Sequence, residues 1–196
     1  MHKQPDEAIG VFTDLCEVVA RPQCSELGQN TRLVLDRRPA TPLDELRELD
    51  GLILSGGAAR VGLTGELGNC AAYLGLDIPI LGICAGHQFM AGFYGGQARE
   101  APKPEFGAAT IELLGGGGPL FTETPTSQTV WESHNDEVIE APPGFRVTAS
   151  SESCGVQAME NESQDRFGLQ FHPEVNDSEY GAKIFENFVD ICRRAR

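Results

Sequence analysis

The 196-residue sequence predicts an α/β fold: a mostly parallel open sheet, flanked by helices and lengthened by antiparallel strands. Two observations support this prediction. In the first half of the chain, short apolar runs alternate with amphipathic segments of helical spacing, which is typical of parallel strands joined by helices. From about residue 107 onward, short β-rich runs follow one another between Gly, Pro, Asn and Asp turns, which indicates an antiparallel extension of the same sheet.

The parallel half is predicted from apolar runs, of which the third and fourth are unbroken, as in strands buried on both faces. The predicted strands are Ala8–Phe12, Thr31–Leu35, Gly51–Leu54 and Ile78–Ile83. The predicted helices are Leu43–Leu49, Glu66–Leu76 and Gly86–Phe93, the last ended by Gly95 and Gly96.

The second half is predicted to add five short strands and a closing helix. The strands are Ala109–Leu114, Gln128–Trp131, Phe145–Thr148, Gly155–Ala158 and Phe167–Phe171. The helix, Glu179–Arg194, turns five apolar residues inward: Ile184, Phe185, Phe188, Val189 and Ile191. Gly115–Gly118 is interpreted as a turn, because the Lys-Ser/Thr of a phosphate-binding loop does not follow it. We treat residues 1–196 as one domain.

Composition narrows the function classes. The chain has 29 acidic and 15 basic residues, a formal net charge of -14, which argues against nucleic-acid and anionic-membrane binding. It lacks an apolar run long enough to span a membrane and a secretory leader, so we expect a cytoplasmic protein. With only three lysines among the basic residues, the acidic surface also suits a protein that stays soluble in concentrated salt.

Six cysteines are scattered without any C-x-x-C or other metal-ligand spacing, so we expect neither a bound metal nor a disulfide framework. Cys84 stands apart from the others because a buried strand runs into Gly82-Ile-Cys84-Ala-Gly86 and a helix begins at once. This is the cysteine form of a nucleophile elbow, in which a tight turn presents the thiol at a helix N-terminus. The alternative is a buried structural cysteine beside helix-packing glycines.

A thiolate that transfers acyl groups needs a proton shuttle and a group that orients it. Among the four histidines, His2 lies near the terminus, His87 on the elbow helix faces away from the sulfur, and His134 falls in a polar loop. His172 follows a predicted strand, and Pro173 fixes a turn that allows Glu174 to accept a hydrogen bond from its ring. The alternative is a loop histidine without a catalytic role.

Acyl transfer also needs donors for the negative charge that develops on the carbonyl oxygen. Ser55-Gly-Gly57 follows the strand Gly51–Leu54 at the edge of the sheet where open α/β proteins bind ligands. Backbone N–H groups of this turn and of Ala85, the residue after the nucleophile, are the predicted donors.

In this order, Ser-Gly-Gly, Gly-Ile-Cys-x-Gly-His-Gln and Phe-His-Pro-Glu resemble the class I glutamine amidotransferases, which have a flavodoxin-like fold. The resemblance runs from about Thr31 to the C-terminus. It implies that Cys84 attacks the side-chain amide of L-glutamine, giving a γ-glutamyl thioester and ammonia. It further implies that His172 is the general base and acid, Glu174 its orienting partner, and Gln88 a substrate-binding residue. Gly57 and Ala85 would form the oxyanion hole.

Within the family, Val130-Trp-Glu-Ser-His-Asn-Asp-Glu-Val138 is similar to the glutaminase part of GMP synthases. That similarity implies that Ser133 and His134 contact the α-amino and carboxylate groups of glutamine. The alternative is that Asn135–Glu137 form only a solvated acidic turn. Glu105-Phe-Gly107 and Ser178-Glu-Tyr-Gly181 point to the same group.

No phosphate-binding loop or ATP-pyrophosphatase sequence follows the amidotransferase part. The resemblance is therefore to two-subunit GMP synthases of archaea, and it implies that ammonia passes to a separate ATP-pyrophosphatase subunit, which aminates XMP. ATP and Mg²⁺ belong to that partner, and this chain is expected to need no cofactor. The alternatives are an amidotransferase for another acceptor, a free-standing γ-glutamyl hydrolase, or a non-catalytic regulatory module.

Two positions depart from the family pattern. The usual Gly-rich turn after the first strand is absent from Thr13–Val19, so either this turn is built differently or residues 1–30 are divergent. Ala58 replaces the proline that normally follows Ser-Gly-Gly. We therefore expect a looser oxyanion loop and little activity from the chain without its partner.

Overall fold

The structure, a computed structural model, describes residues 7–12, 31–36, 43–46, 49–55, 57, 59–67 and 70–195. Side chains are described from residue 43 onward, Glu45 excepted. Among these residues no helix is both long and apolar enough to cross a membrane. The divergent segment at Thr13–Val19, Cys16, Cys24 and the proline replacement at Ala58 lie outside the described residues.

Nine strands form a single sheet in the described part of the chain. They are β1 Glu7–Phe12, β2 Thr31–Asp36, β3 Gly51–Leu54, β4 Ile80–Ile83, β5 Gln97–Leu113, β6 Ser127–Glu140, β7 Arg146–Ser150, β8 Ala158–Asn161 and β9 Arg166–Leu169. Their order in the sheet is β2-β1-β3-β4-β9-β8-β7-β5-β6.

The predicted division into a parallel and an antiparallel half is confirmed. In sheet order, the strands β2, β1, β3, β4 and β9 pair in parallel with their neighbours. The remaining pairs, β9–β8, β8–β7, β7–β5 and β5–β6, are antiparallel. One placement was wrong: β9, expected within the antiparallel extension, pairs in parallel with β4, with Gly82 opposite Gly168. The last strand of the chain therefore lies in the middle of the sheet, directly beside the strand that leads to Cys84.

Strand lengths in the second half also differ from prediction. All five predicted runs overlap strands, but β5 and β6 form one long hairpin in which Phe106 lies opposite Ser133. The run Gly155–Ala158 was placed too early, because the strand begins only at Ala158. Gly115–Gly118 is a turn of residues with positive φ, as predicted.

Helices cover both faces of the sheet, as predicted for this fold class. They are α1 Leu43–Leu46, α2 Val61–Thr64, α3 Cys70–Leu74, α4 Ala85–Phe93 and α5 Gly181–Arg194. The short helix α2 was not predicted, and α3 is shorter than the helical pattern from Glu66 suggested.

Two buried clusters form the core, one on each face of the sheet. The five apolar residues predicted to line α5 are all buried against the first face. Apolar residues of α1, α3 and α4 pack against the second face, with Leu52, Leu54 and Ile80 of the sheet fully or nearly fully buried. The described cysteines Cys70, Cys84, Cys154 and Cys192 are all buried.

Candidate active site

The turn between β4 and α4 holds Cys84 in a backbone conformation that L-residues rarely adopt. Its φ is 51° and its ψ is -107°, a strained combination of the kind that concentrates at functional sites. The strand–turn–helix arrangement predicted for Gly82–Gly86 is thus present, and the thiol lies at the start of α4 with Cys84 only 5% exposed.

Glycines on either side of the thiol make this turn sterically possible. A Cβ on Gly82 would lie 2.7 Å from the backbone carbon of Gly86, and one on Gly86 would lie 2.1 Å from the carbonyl oxygen of Leu54. The second contact also shows that the N-terminus of α4 packs directly on the end of β3. The chain therefore leaves the sheet at Ser55, beside the nucleophile turn.

His172 reaches the same end of the sheet because β9 runs beside β4 in parallel. The Cys84 N–H donates to the Leu169 carbonyl at 2.7 Å, and the His172 N–H donates to the Trp131 carbonyl of β6 at 2.9 Å. The His172 ring donates from Nδ1 to Glu174 Oε1 at 2.7 Å. The structure thus brings together Cys84, His172 and Glu174, the three residues predicted to act as a unit.

The second ring nitrogen of His172, Nε2, is buried without a well-directed hydrogen bond to the described residues. Burial lowers the pKa of this histidine, but interaction with the Cys84 thiol and the Glu174 carboxylate outweighs burial and raises the pKa to about 11. The ring therefore carries a positive charge at neutral pH. A protonated imidazole beside a cysteine favours the reactive thiolate.

The two predicted oxyanion donors follow neighbouring strands of the sheet. Ala85 is the first residue of α4 and is buried, so its N–H belongs to the first turn of a helix that begins at the nucleophile. Gly57 lies three residues beyond the end of β3, the strand that neighbours β4. Its neighbours Gly56 and Ala58 lie outside the described residues.

Gln88, predicted to bind substrate, lies one turn along α4 and is buried. Its side-chain NH₂ donates to the Asp136 carbonyl at 2.6 Å and to Gln170 Oε1 at 3.1 Å. Both amide hydrogens are thereby used, and a contact between Gln88 and a substrate would go through its Oε1.

His134 was predicted to lie in a polar loop, and this was wrong. It lies within β6, as do Asn135, Asp136 and Glu137, so the alternative of a solvated acidic turn is also excluded. Ser133 is exposed, and its carbonyl lies 3.8 Å from Cys84 Sγ. The His134 side chain is buried on the opposite face of β6.

Both ring nitrogens of His134 are occupied by groups of this chain. Nδ1 donates to the Asp136 carbonyl at 3.0 Å, and Nε2 lies 3.1 Å from Glu105 Oε2 and 3.2 Å from Glu132 Oε2. Burial lowers the pKa of His134, but the two carboxylates outweigh burial and raise it to about 10. We therefore revise its predicted role: its ring offers no unoccupied nitrogen to glutamine and instead ties β6 to Glu105 of the neighbouring strand β5.

Glu105, Glu132 and His134 also bring three potential metal-ligand atoms within 4.8 Å of one another. A bound metal would require an unprotonated imidazole nitrogen. In this structure Nε2 of His134 lies within 3.2 Å of both carboxylates, so the three side chains form an ion-pair cluster.

Sequence reasoning missed the ion pair between Arg60 and Asp136, in which Arg60 Nε donates to Asp136 Oδ1 at 2.9 Å. The signal that could have found Asp136 is the period of two in Glu132, His134 and Asp136, which places three polar side chains on the same inner face of one strand. Arg60 carries no comparable local signal, because its partner is 76 residues away in the chain.

Comparison with known proteins shows a consistent set of relatives. A sequence model described as "Glutamine amidotransferase class-I" matches residues 19–192. A glutamine-hydrolyzing GMP synthase subunit of Saccharolobus solfataricus is 45% identical over 80% of this chain and 84% of its own length. The protein of the same name from Haloarcula marismortui is 42% identical over 93% of this chain and 90% of its own.

Solved structures agree with the fold. A crystal structure of a GMP synthase subunit from Thermoplasma acidophilum superposes with a TM-score of 0.87 at 36% identity and covers 98% of this chain and 96% of that one. A glutamine amidotransferase from Thermotoga maritima superposes with a TM-score of 0.73, covering 97% of this chain and 84% of that one. At 20% identity, the second likeness shows the shared fold alone.

Proposed function

The chain belongs to the class I glutamine amidotransferases, and we propose that it is the glutaminase subunit of a GMP synthase, releasing ammonia from L-glutamine. The single observation that carries the chemistry is the His172–Glu174 hydrogen bond beside the buried thiol of Cys84. The relatives named as glutamine-hydrolyzing GMP synthase subunits, at 42% and 45% identity over most of the chain, support the choice among amidotransferases.

In the first step, the Cys84 thiolate forms a bond to the side-chain amide carbon of glutamine, and the carbonyl electron pair moves onto oxygen. The N–H groups of Gly57 and Ala85 donate hydrogen bonds to this oxyanion, and both donors are in place before the charge develops. Gln88 and the exposed edge of β6 at Ser133 hold the substrate. The strained turn at Cys84 supports this role, because it directs the sulfur out of the end of the sheet.

In the second step, the carbonyl re-forms and the carbon–nitrogen bond breaks. His172 donates the Nε2 proton to the departing nitrogen, which leaves as ammonia, and a γ-glutamyl thioester remains on Cys84. Glu174 holds the ring through Nδ1, so that Nε2 faces the reacting atoms.

In the third step, neutral His172 removes a proton from water while the water oxygen bonds to the thioester carbon. The tetrahedral intermediate expels the Cys84 thiolate and gives glutamate, and the imidazolium–thiolate pair is restored. The cycle needs no cofactor on this chain.

Ammonia passes to a separate ATP-pyrophosphatase subunit in the cytoplasm, which uses ATP and Mg²⁺ to activate XMP and converts it to GMP. The net charge of -14 supports a protein partner rather than a nucleic acid or an anionic membrane.

The test mixes the chain with the ATP-pyrophosphatase subunit from the same organism, ATP, Mg²⁺, XMP and glutamine. We expect GMP from glutamine, and we expect Cys84→Ala to abolish it while leaving synthesis from added ammonium salt intact. Glutamine hydrolysis without GMP would favour another acceptor or a free-standing hydrolase. A mixture that released no ammonia would favour a non-catalytic module.

A further inference from the structure

Asp136 is a buried acidic residue that the mechanism above does not use. Its side chain is 2% exposed, yet both carboxylate oxygens have partners: Arg60 Nε donates to Oδ1 at 2.9 Å and the Gly62 N–H donates to Oδ2 at 3.0 Å. A buried carboxylate held by a charged and a backbone donor fixes both partners relative to its own strand.

These two partners flank the start of α2, the short helix that ends the segment carrying Gly57. The chain leaves β3 at Ser55 and reaches α2 at Val61, six residues later. The Asp136 carboxylate therefore anchors the α2 end of this segment to β6. The near end is fixed by the sheet, where Gly86 packs against the Leu54 carbonyl. The loop that holds Gly57 is thus fastened at both ends, once by β3 and once by Asp136.

The backbone carbonyl of Asp136 accepts two further hydrogen bonds. Gln88 Nε2 donates to it at 2.6 Å and His134 Nδ1 at 3.0 Å. One residue therefore joins three parts of the glutamine site: the loop carrying Gly57, the helix that follows Cys84, and the strand that carries Ser133.

We propose that Asp136 is a positioning residue for glutamine hydrolysis, whose carboxylate holds the Gly57 loop in register with the nucleophile turn through Arg60 and Gly62. This inference rests on the proposed function, because Gly57 matters only if an oxyanion forms. Replacing the Asp136 side chain removes the carboxylate contacts to Arg60 and Gly62 but keeps the backbone carbonyl that binds Gln88, so the two sets of contacts can be tested separately.

Asp136→Ala should therefore lower kcat for glutamine hydrolysis roughly 10- to 100-fold, the scale expected when a reacting group is displaced by about 1 Å. KM for glutamine should change less than about threefold, because the Gln88 contact is kept. Asp136→Asn keeps an acceptor for the Gly62 N–H and should recover part of the loss. Glu100→Gln is the matched control, since Glu100 also pairs with Arg60, at 3.0 Å, but its side chain is exposed.

The assay measures ammonia release by the complex with the ATP-pyrophosphatase subunit, ATP and XMP. In parallel, the rate of Cys84 alkylation by iodoacetamide is measured against a Cys84→Ala blank. Reduced kcat with normal KM and normal alkylation would support the inference. A kcat within twofold of wild type would overturn it, and so would kcat and alkylation falling together, because that pattern means a general loss of structure. A wild-type complex that released no ammonia would overturn the proposed function and this inference with it.

Discussion

Glu174 Oε1 lies 2.7 Å from His172 Nδ1, with only Pro173 between the two residues in the chain. Because the proline ring fixes its own φ, the turn returns the carboxylate to the imidazole instead of leaving it in solvent. The orientation of the imidazole is therefore set locally, within three consecutive residues.

Replacing this carboxylate should impair catalysis far more than stability. We expect Glu174→Gln to lower kcat for glutamine hydrolysis roughly 10²- to 10⁴-fold, the range of a general acid–base contribution, because the ring loses its fixed orientation and the charge that stabilises the imidazolium. Steady-state kinetics of the complex measures this. Asp177→Asn, an exposed acid in the same segment, is the control. Equal losses in the two variants would contradict the role of Glu174.

The His134 cluster should make stability depend on pH in a defined direction. Its folded-state pKa of about 10 lies above the ordinary 6.5, so the folded protein holds a proton that the unfolded chain has released. This stabilisation is complete below about pH 6.5 and is lost as the pH rises toward 10.

Glu132→Gln should remove part of that contribution, because Glu132 Oε2 lies 3.2 Å from His134 Nε2. We expect the variant to lose more stability at about pH 6 than at about pH 10. Urea midpoints of wild type and variant across this range measure it, with Glu112→Gln on the exposed face of β5 as control. A loss that is the same at every pH would show that the pair does not hold the extra proton.

Gly168 should be intolerant of alanine. A Cβ there would lie 2.4 Å from Nδ1 of His87, a ring that is fully buried and bonded through Nε2 to the Val156 carbonyl at 3.2 Å. We expect Gly168→Ala to destabilise the fold by about 1–3 kcal/mol. Thermal and urea unfolding measure it.

Gly92 is the matched control, because it lies in α4 and a Cβ there meets nothing within 4 Å. Gly92→Ala should leave stability unchanged or raise it by about 0.5–1 kcal/mol, since alanine restricts the unfolded chain. If both variants unfolded at the wild-type midpoint, this result would contradict the close packing of Gly168 against His87.

The acidic surface predicts a gain in stability with salt. With a net charge of -14, the acidic side chains repel one another in the folded state. KCl screens this repulsion, because the Debye length falls from about 10 Å at 0.1 M to about 3 Å at 1 M. We expect the melting temperature to rise from low to molar KCl, by about 2–4 °C for each kcal/mol gained. A constant melting temperature would exclude salt adaptation through surface charge.

The parts of the site that sequence predicts well are local. Gly82, Cys84 and Gly86 lie within five residues, and the close contacts around them leave no room for other side chains, so the spacing alone indicates the turn. The unbroken apolar run Gly51–Leu54 and the one-sided apolar pattern of α5 likewise report burial directly.

The parts it predicts badly depend on partners far away in the chain. Glu132, His134 and Asp136 lie on the buried face of β6, where alternation predicts apolar residues. His134 pairs with Glu132 and Glu105, and Asp136 pairs with Arg60. Glu105 and Arg60 lie 29 and 76 residues from their partners, and no local pattern indicates them. The same applies to β9, because periodicity identifies a strand but not its neighbours.

The central position of β9 has a consequence for how the protein is made. A ribosome releases Cys84 first and His172 88 residues later, and β9 must insert between β4 and β8 before the two can meet. Such late, long-range strand pairing is slow compared with helix formation. The nascent chain therefore carries a thiol without its proton shuttle over the 88 residues of synthesis between Cys84 and His172. Glutamine hydrolysis becomes possible only after His172 has emerged and β9 has paired with β4.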